Sequence, residues 1–183
     1  RVALLPGTRA YALTALHRMC QAARSVPEAT FAVPWARGEW PEPPVGWERR
    51  GTRGVWERWT EGATHVHVLA QAFAEIVAWA QVAIGTAGTA NEQAAGCGVP
   101  VVTFAAGAPH GTAFVAKQQR LLGDALTVVP NDRVAIAAAV RSLLRDPDER
   151  RRRGRAGNEA MGAPGGAAAI ANAIWQFDPR RTR

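Results

Sequence analysis

The chain is 183 residues long and 48% hydrophobic, enough for one domain with a packed core. Its formal charge of +7 rests almost wholly on arginine, Lys117 being the only lysine. No apolar run reaches the ~18 residues of a spanning helix, no signal-peptide pattern is present, and neither Cys20 nor Cys97 has a histidine or cysteine at metal-ligand spacing, so a cytoplasmic protein with free thiols is expected.

Val2-Ala3-Leu4-Leu5 is a short apolar run closed by Pro6-Gly7, which predicts a buried strand. Ala10 to Arg24 carries Leu13, Leu16, Met19 and Ala23 at helical spacing, and Thr30 to Val33 predicts a second strand. Strand, helix, strand is the βαβ unit of a parallel sheet. Residues 34–62 break this rhythm with four prolines and five of the seven tryptophans, and are expected to be an irregular insertion. Burial of those tryptophans against the domain is the simpler reading; an apolar surface for a partner or a lipidic acceptor is the other.

His65 to Leu69 predicts a strand, with His65 and His67 on one face as packing or surface residues, and Gln71 to Gln81 a helix. Val82 to Gly85 predicts a buried strand leading through Gly85-Thr86-Ala87-Gly88-Thr89 into a helix with Glu92 in its first turn. Pro100 to Phe104 and Leu126 to Val129 predict two more strands, with a helix over 114–122 stopped by Gly123. Asn131 or Asp132 caps a helix running to Arg145, and Asp146-Pro147 opens another. A last helix reaches about Phe177, and residues 178–183 are expected to be a frayed basic tail. The arginines at 150–155 and 180–183 read as solvated faces, with an anionic membrane surface as the alternative partner; no nucleic-acid-binding pattern accompanies them.

Six strands alternating with helices imply an α/β fold: a doubly wound, Rossmann-like parallel sheet over 1–177, in the order 3-2-1-4-5-6. In that order the sheet reverses between its first and fourth strands, and ligands bind beyond their carboxyl ends. The turns there are Pro6-Gly7-Thr8-Arg9 and Gly85 to Thr89. Gly7 and Thr8 offer backbone N–H groups to an anion, and Arg9 adds a charged donor. Glu92 has two readings: a capping-box partner of Thr89, or a carboxylate accepting both hydroxyls of a ribose. His110 and Gln118 sit at the same edge, where each is either a sugar or phosphate contact or an ordinary exposed side chain. The one Asp-x-Asp, Asp146-Pro147-Asp148, reads as a helix start rather than a metal motif, and no Ser-His-Asp triad can be assembled.

LLPGTR at 4–9, GTAGTANEQAAGCGVPVVTF at 85–104 and AKQQRLLG at 116–123, with a weaker MGAPGGAAAIA at 161–171, together resemble the C-terminal half of a GT-B glycosyltransferase, chiefly lipid-A-disaccharide synthase and its related proteins. The resemblance implies a UDP-sugar donor, with Gly7, Thr8, Arg9, Gly88 and Thr89 at the diphosphate. It puts Glu92 on the ribose, Gln118 or Gln119 on the donor sugar, and backbone at Val68 and Leu69 on the base. Asn91 and His110, at the same edge, are expected among the donor-binding residues. It implies no metal, no further cofactor, a glycolipid-type acceptor, and a separate N-terminal domain that supplies the catalytic residues. The span from Glu92 to Pro100 is one residue longer than in the well-known enzymes of that group, which leaves the acceptor open. A first strand that is central yet begins at residue 2 also leads to the expectation of a preceding region. Half of a UDP-N-acetylglucosamine 2-epimerase and a non-catalytic binding module are the alternatives.

Overall fold

The computed structural model describes residues 1–36, 38–52, 54–107 and 110–177. The terminal segment 178–183, expected to fray, lies outside the described residues. In chain order the elements are β1 (Val2–Leu5), α1 (Ala12–Ala23), β2 (Phe31–Trp35), β3 (Glu48–Thr52), β4 (Trp56–Glu61), β5 (Thr64–Ala70), α2 (Phe73–Trp79), β6 (Val82–Gly85) and α3 (Gly88–Gly96). Then come β7 (Val101–Thr103), α4 (Thr112–Leu122), a 3-10 turn (Gly123–Ala125), β8 (Leu126–Val128), α5 (Arg133–Arg145), α6 (Pro147–Met161) and α7 (Gly166–Gln176).

The strands form one sheet in the order β3-β4-β5-β2-β1-β6-β7-β8. From β5 to β8 every pairing is parallel, and the six strands read from sequence stand in the order 3-2-1-4-5-6. The fold is α/β and doubly wound. β1 and β6 are buried along their whole length, which is why both are unbroken apolar runs: a central parallel strand has helices on both faces.

The two faces divide the core. Val2, Leu4, Val33, Ile84 and Phe104 pack under Leu16 and Met19 of α1 and Ile136 and Val140 of α5. The opposite face offers the smaller Ala3, Ala32 and Ala83 to Ile76 and Val77 of α2 and Ala94 and Ala95 of α3. Alanines on a sheet let a helix approach closely.

The segment 34–62 is not irregular throughout. β3 and β4 form an antiparallel hairpin that extends the sheet beyond β5. Its Glu48-Arg49-Arg50-Gly51-Thr52 strand is charged because it is an edge, where charge and a bulge discourage further pairing. Trp35, Trp47 and Trp59 are core residues. The Trp59 indole donates to Glu57 at 3.1 Å, and Arg49 pairs with the same carboxylate at 3.1 Å. Burial thus accounts for these tryptophans.

Asp132 caps α5, accepting from Val134 and Ala135 N–H groups at 2.9 Å, and Asp146 caps α6 ahead of Pro147 at N1. The arginines after it are staples. Arg150 donates to the Leu143 and Leu144 carbonyls at the end of α5, and Arg153 reaches Asp124 O and Thr127. Arg152 pairs with Glu149 and Asp124. Two glycines let α6 lie directly on α3. A Cβ on Gly154 would stand 2.4 Å from the Gly98 carbonyl oxygen, and one on Gly157 2.3 Å from that of Ala95. Asn158 adds a bond to the Gly96 carbonyl at 2.7 Å. The back of α3 is therefore clamped, which fixes where its front begins.

Candidate functional site at the carboxyl edge

β1 and β6 pair in register from Val2↔Val82 to Leu5↔Gly85, so their carboxyl ends finish together. The turns that follow touch. Thr86 N–H donates to the Leu5 carbonyl (3.2 Å) and its hydroxyl to the Pro6 carbonyl (3.4 Å). Gly7 has φ +82°, and a Cβ there would come within 2.9 Å of the Ala87 Cβ. Only glycine satisfies both the left-handed backbone and the approach. Thr8 and Arg9 are exposed on the rim. α1 begins at Ala12 rather than at residue 10, so Gly7 to Tyr11 form a separate turn ahead of the helix.

A cleft of about 220 Å³ opens beside this junction. Gly7 and Thr8 line one end with Thr89 and Gln93 of α3. Pro34 and Trp35, the last residues of β2, line it as well, and Gln71 and Phe73 line it after β5. Gln71 and Gln93 are residues that sequence reasoning did not single out: Gln71 belongs to no motif, Gln93 sits unassigned within the 85–104 stretch, and the meeting of four strand ends is what marks them.

α3 starts at Gly88, with Ala87 as an N-cap whose side chain makes no capping bond. Glu92 thus lies in the second turn, and the Thr89–Glu92 capping box is not formed. Glu92 is half-buried and makes no hydrogen bond or ion pair to a described residue. It shares the Gly88 face of the helix, one step round from the Thr89 and Gln93 face that lines the cleft.

Asn91 and Gln118 are turned inward. Asn91 is fully buried; its amide N–H₂ donates to Gly85 O (3.3 Å) and to Gln118 Oε1 (2.9 Å). Gln118 in turn donates to the Gly88 carbonyl at 3.0 Å. The pair locks α3, α4 and the end of β6 together. Gln119 donates to the Gly123 carbonyl at 2.8 Å, at the far end of α4 from the turns.

His110 joins the third loop to the junction. Its Nδ1 lies 2.9 Å from the Thr86 carbonyl, which can only accept, so Nδ1 carries a proton. In the neutral ring Nε2 is then left as an acceptor. The ring lies between Tyr11 (centroids 4.6 Å apart) and Phe114 (4.0 Å), and Ala108 and Pro109 just before it lie outside the described residues. The Tyr11 hydroxyl is buried without a hydrogen-bond partner among the described residues, and burial raises its pKa above the ordinary value against the lowering pull of Arg9.

Val68 and Leu69 pair on both sides, with β2 and with β4, so their backbone is engaged in the sheet. Leu69 faces a separate cavity of about 430 Å³ on the α2 side of the sheet. Trp56 and His67 line it too; the Trp56 indole donates to His67 Nδ1 at 3.2 Å, and burial holds the His67 pKa below its ordinary value. This larger cavity lies away from the glycine turns. Among the described residues no three His, Cys, Asp or Glu side chains converge as a metal site, and no helix is long and apolar enough to cross a membrane.

No family model and no curated protein matches this chain. Solved structures do. A protein of Listeria monocytogenes described as a UDP-N-acetylglucosamine 2-epimerase matches with a TM-score of 0.61 at 16% identity, over 95% of this chain and 44% of that one. CalG4, the calicheamicin glycosyltransferase, matches at 0.57 and 18%, over 97% and 42%. The glycotransferase of kitacinnamycin matches at 0.57 and 16%, over 96% and 42%. This chain therefore spans less than half the length of each, and at such identities the likeness is one of fold: a GT-B-like, Rossmann-like domain.

Proposed function

We propose that this chain is the nucleotide-sugar-binding half of a GT-B glycosyltransferase, binding a UDP-sugar donor at the junction of its two glycine turns. The observation that carries this reading is the contact of Gly7 with Ala87, which brings two bare backbone turns together where an open α/β sheet reverses. The diphosphate lies over Gly7, Thr8, Gly88 and Thr89, with Arg9 as the charged donor. Glu92 accepts from the ribose hydroxyls; the absence of a capping bond from Thr89 leaves its carboxylate uncommitted and so supports this role. Asn91 and Gln118 act by holding the Gly88 turn in place, and His110 holds Thr86.

The UDP-N-acetylglucosamine type of donor, the glycolipid acceptor, the link to lipid A synthesis and independence from metal rest on the resemblance of residues 85–104 and 116–123. So does the need for an N-terminal domain, without which the half described is inactive. Acting on such an acceptor places the protein in the cytoplasm at the inner face of the membrane, where its +7 charge favours anionic lipid. The fold likeness to the Listeria protein supports a second reading, half of a nucleotide-sugar epimerase, with the same ligand in the same turns.

The test is titration of the chain with UDP, followed residue by residue by NMR. Signals of Gly7 to Arg9 and of Gly85 to Gln93 are expected to move together at the same UDP concentration. Glu92→Gln should weaken UDP roughly ten-fold or more, as loss of a charged acceptor does, with the thermal midpoint unchanged. Absence of any shift in those two turns at millimolar UDP would overturn the reading.

A further inference from the structure

One stripe of α1 carries three polar side chains in line, Thr14, Arg18 and Gln21, at the i, i+4 and i+7 spacing of a single helix face. They line a polar cavity of about 160 Å³ together with the segment after β7 and Asn131 after β8. It shares no lining residue with the cleft beside the glycine turns.

Arg18 is half-buried, yet its hydrogen bond among the described residues goes to a neutral group, Gln21 Oε1 at 3.0 Å. The other half-buried arginines described are better matched. Arg141 and Arg153 pair with Glu28 and Glu149, and Arg150 donates to two carbonyls at the end of α5. A charge withdrawn from water needs a counter-charge or several acceptors. No carboxylate lines this cavity. Glu42, whose carbonyl accepts from His17 Nε2 at 2.9 Å, turns its carboxylate to Arg49 instead, 3.4 Å away.

The α1 wall is a set of donors. Arg18 occupies the Gln21 oxygen, which leaves the Gln21 N–H₂ over; Thr14 adds a hydroxyl, and the Arg18 fork has further N–H groups. Asn131 is the reverse case: its N–H₂ donates to the Ala105 carbonyl at 3.2 Å, so its Oδ1 is left as an acceptor. Donors with a positive charge on one side and an acceptor on the other suit an oxyanion that still carries a hydroxyl. Hydrogen phosphate is such an ion, and sulfate at neutral pH has no hydroxyl to give. The volume is that of a handful of waters at about 30 Å³ each, the scale of one small anion.

We propose that this cavity is an inorganic phosphate site, in which Arg18, Thr14 and Gln21 bind the charged oxygens and Asn131 accepts from the hydroxyl. The site stands apart from the nucleotide-sugar reading and does not depend on it. Its loop wall nevertheless leads to the glycine turns. The Ala106 N–H donates to the His110 carbonyl at 3.0 Å, and the His110 ring bonds the Thr86 carbonyl. Phosphate held beside Ala106 therefore braces the loop that holds Thr86.

The experiment titrates inorganic phosphate, and separately sulfate, into the chain at constant ionic strength, followed residue by residue by NMR. Signals of residues 14–21, 104–106 and 131 are expected to move together, and phosphate to bind about five-fold tighter than sulfate, the worth of one hydrogen bond. Arg18→Gln should weaken phosphate roughly ten-fold or more, and Thr14→Val about five-fold. The thermal midpoint without phosphate should be unchanged in both, which separates lost binding from unfolding. Phosphate that reaches the Gly7–Arg9 turn reports through that turn's own signals, which neither variant should alter. Unmoved signals around Arg18 at tens of millimolar phosphate, or movement that survives Arg18→Gln intact, overturns the site. An equal response to sulfate also overturns it, because the cavity then only attracts anions. Failure of UDP to bind leaves this site standing.

Discussion

Gly7 carries the site's most demanding geometry, because a backbone at φ +82° and a neighbour 2.9 Å from its absent Cβ must be satisfied at one atom. Gly7→Ala is expected to cost roughly 1–3 kcal/mol for the strained backbone and to push the two turns apart. Urea denaturation should register the first effect and a fall in UDP affinity the second. Glycine at this position was legible as a turn, but its contact with Ala87 was not, since the two lie 80 residues apart in sequence. Asn91, Glu92 and Gln118 show the same limit. Their helices are evident from sequence, but which way each side chain points depends on the rotation of α3 and α4 against their neighbours. That rotation turns Asn91 and Gln118 inward as a mutual lock, while the start of α3 at Gly88 leaves Glu92 in the second turn, where it cannot serve as the capping partner of Thr89.

At the scale of elements, α6 is the least expected contributor to the site. Its arginine run reads as a solvated face, yet Arg150, Arg152 and Arg153 bind α5 and the segment 124–127. Its glycines set it on α3. In an exposed helix Gly→Ala gains about 1 kcal/mol. Gly154→Ala should instead destabilise, by roughly 1–3 kcal/mol, because the new Cβ would meet the Gly98 carbonyl at 2.4 Å and backbone cannot give way. Thermal unfolding decides the sign, and a stabilised Gly154→Ala would show that the clamp is absent. The β3–β4 hairpin is the element that sequence patterning hides. Alternation is masked by arginines on an edge strand, and the prolines before it suggest a loop. Its consequence reaches the site: by pairing with β5 it occupies the backbone at Val68 and Leu69.

For the whole molecule, His67 and Glu149 are two groups whose titration bears on stability in acid. The His67 pKa lies below its ordinary value, first through burial and then through the charges of Arg58 and His65. The folded state therefore binds that proton less readily than the unfolded chain, so the contribution is full above about pH 6.5 and declines as pH falls below it. Glu149, hydrogen-bonded first by Arg152 and then by Arg153, is held down from 4.5 to about 2. Its contribution is full above about pH 4.5 and is lost as pH falls through about 2. It is an exposed network, screened by water, so this second loss is the smaller. Urea midpoints measured against pH should therefore fall in two steps. His67→Gln should remove the upper step and Glu149→Gln the lower; a single step unaffected by either would count against both assignments. Growing positive charge on a chain already at +7 adds a general decline beneath them.

By itself the sequence determined the parallel α/β sheet, the order of its six parallel strands, the helix cap at Asp146 and, to within one residue, that at Asp132, and the two glycine turns at the point where the sheet reverses. These follow from local causes: unbroken apolar runs, residues whose backbone or side-chain chemistry suits one position, and the right-handed crossover that orders the strands. Only the tertiary structure decided that the hairpin extends the sheet, that Asn91 and Gln118 face inward, that α6 braces α3, and that Gln71 takes a left-handed backbone, at φ +54°, at the cleft. Each of these depends on the distance and rotation between elements far apart in the chain. Hydrophobic periodicity says that a face is buried, and it does not say against what.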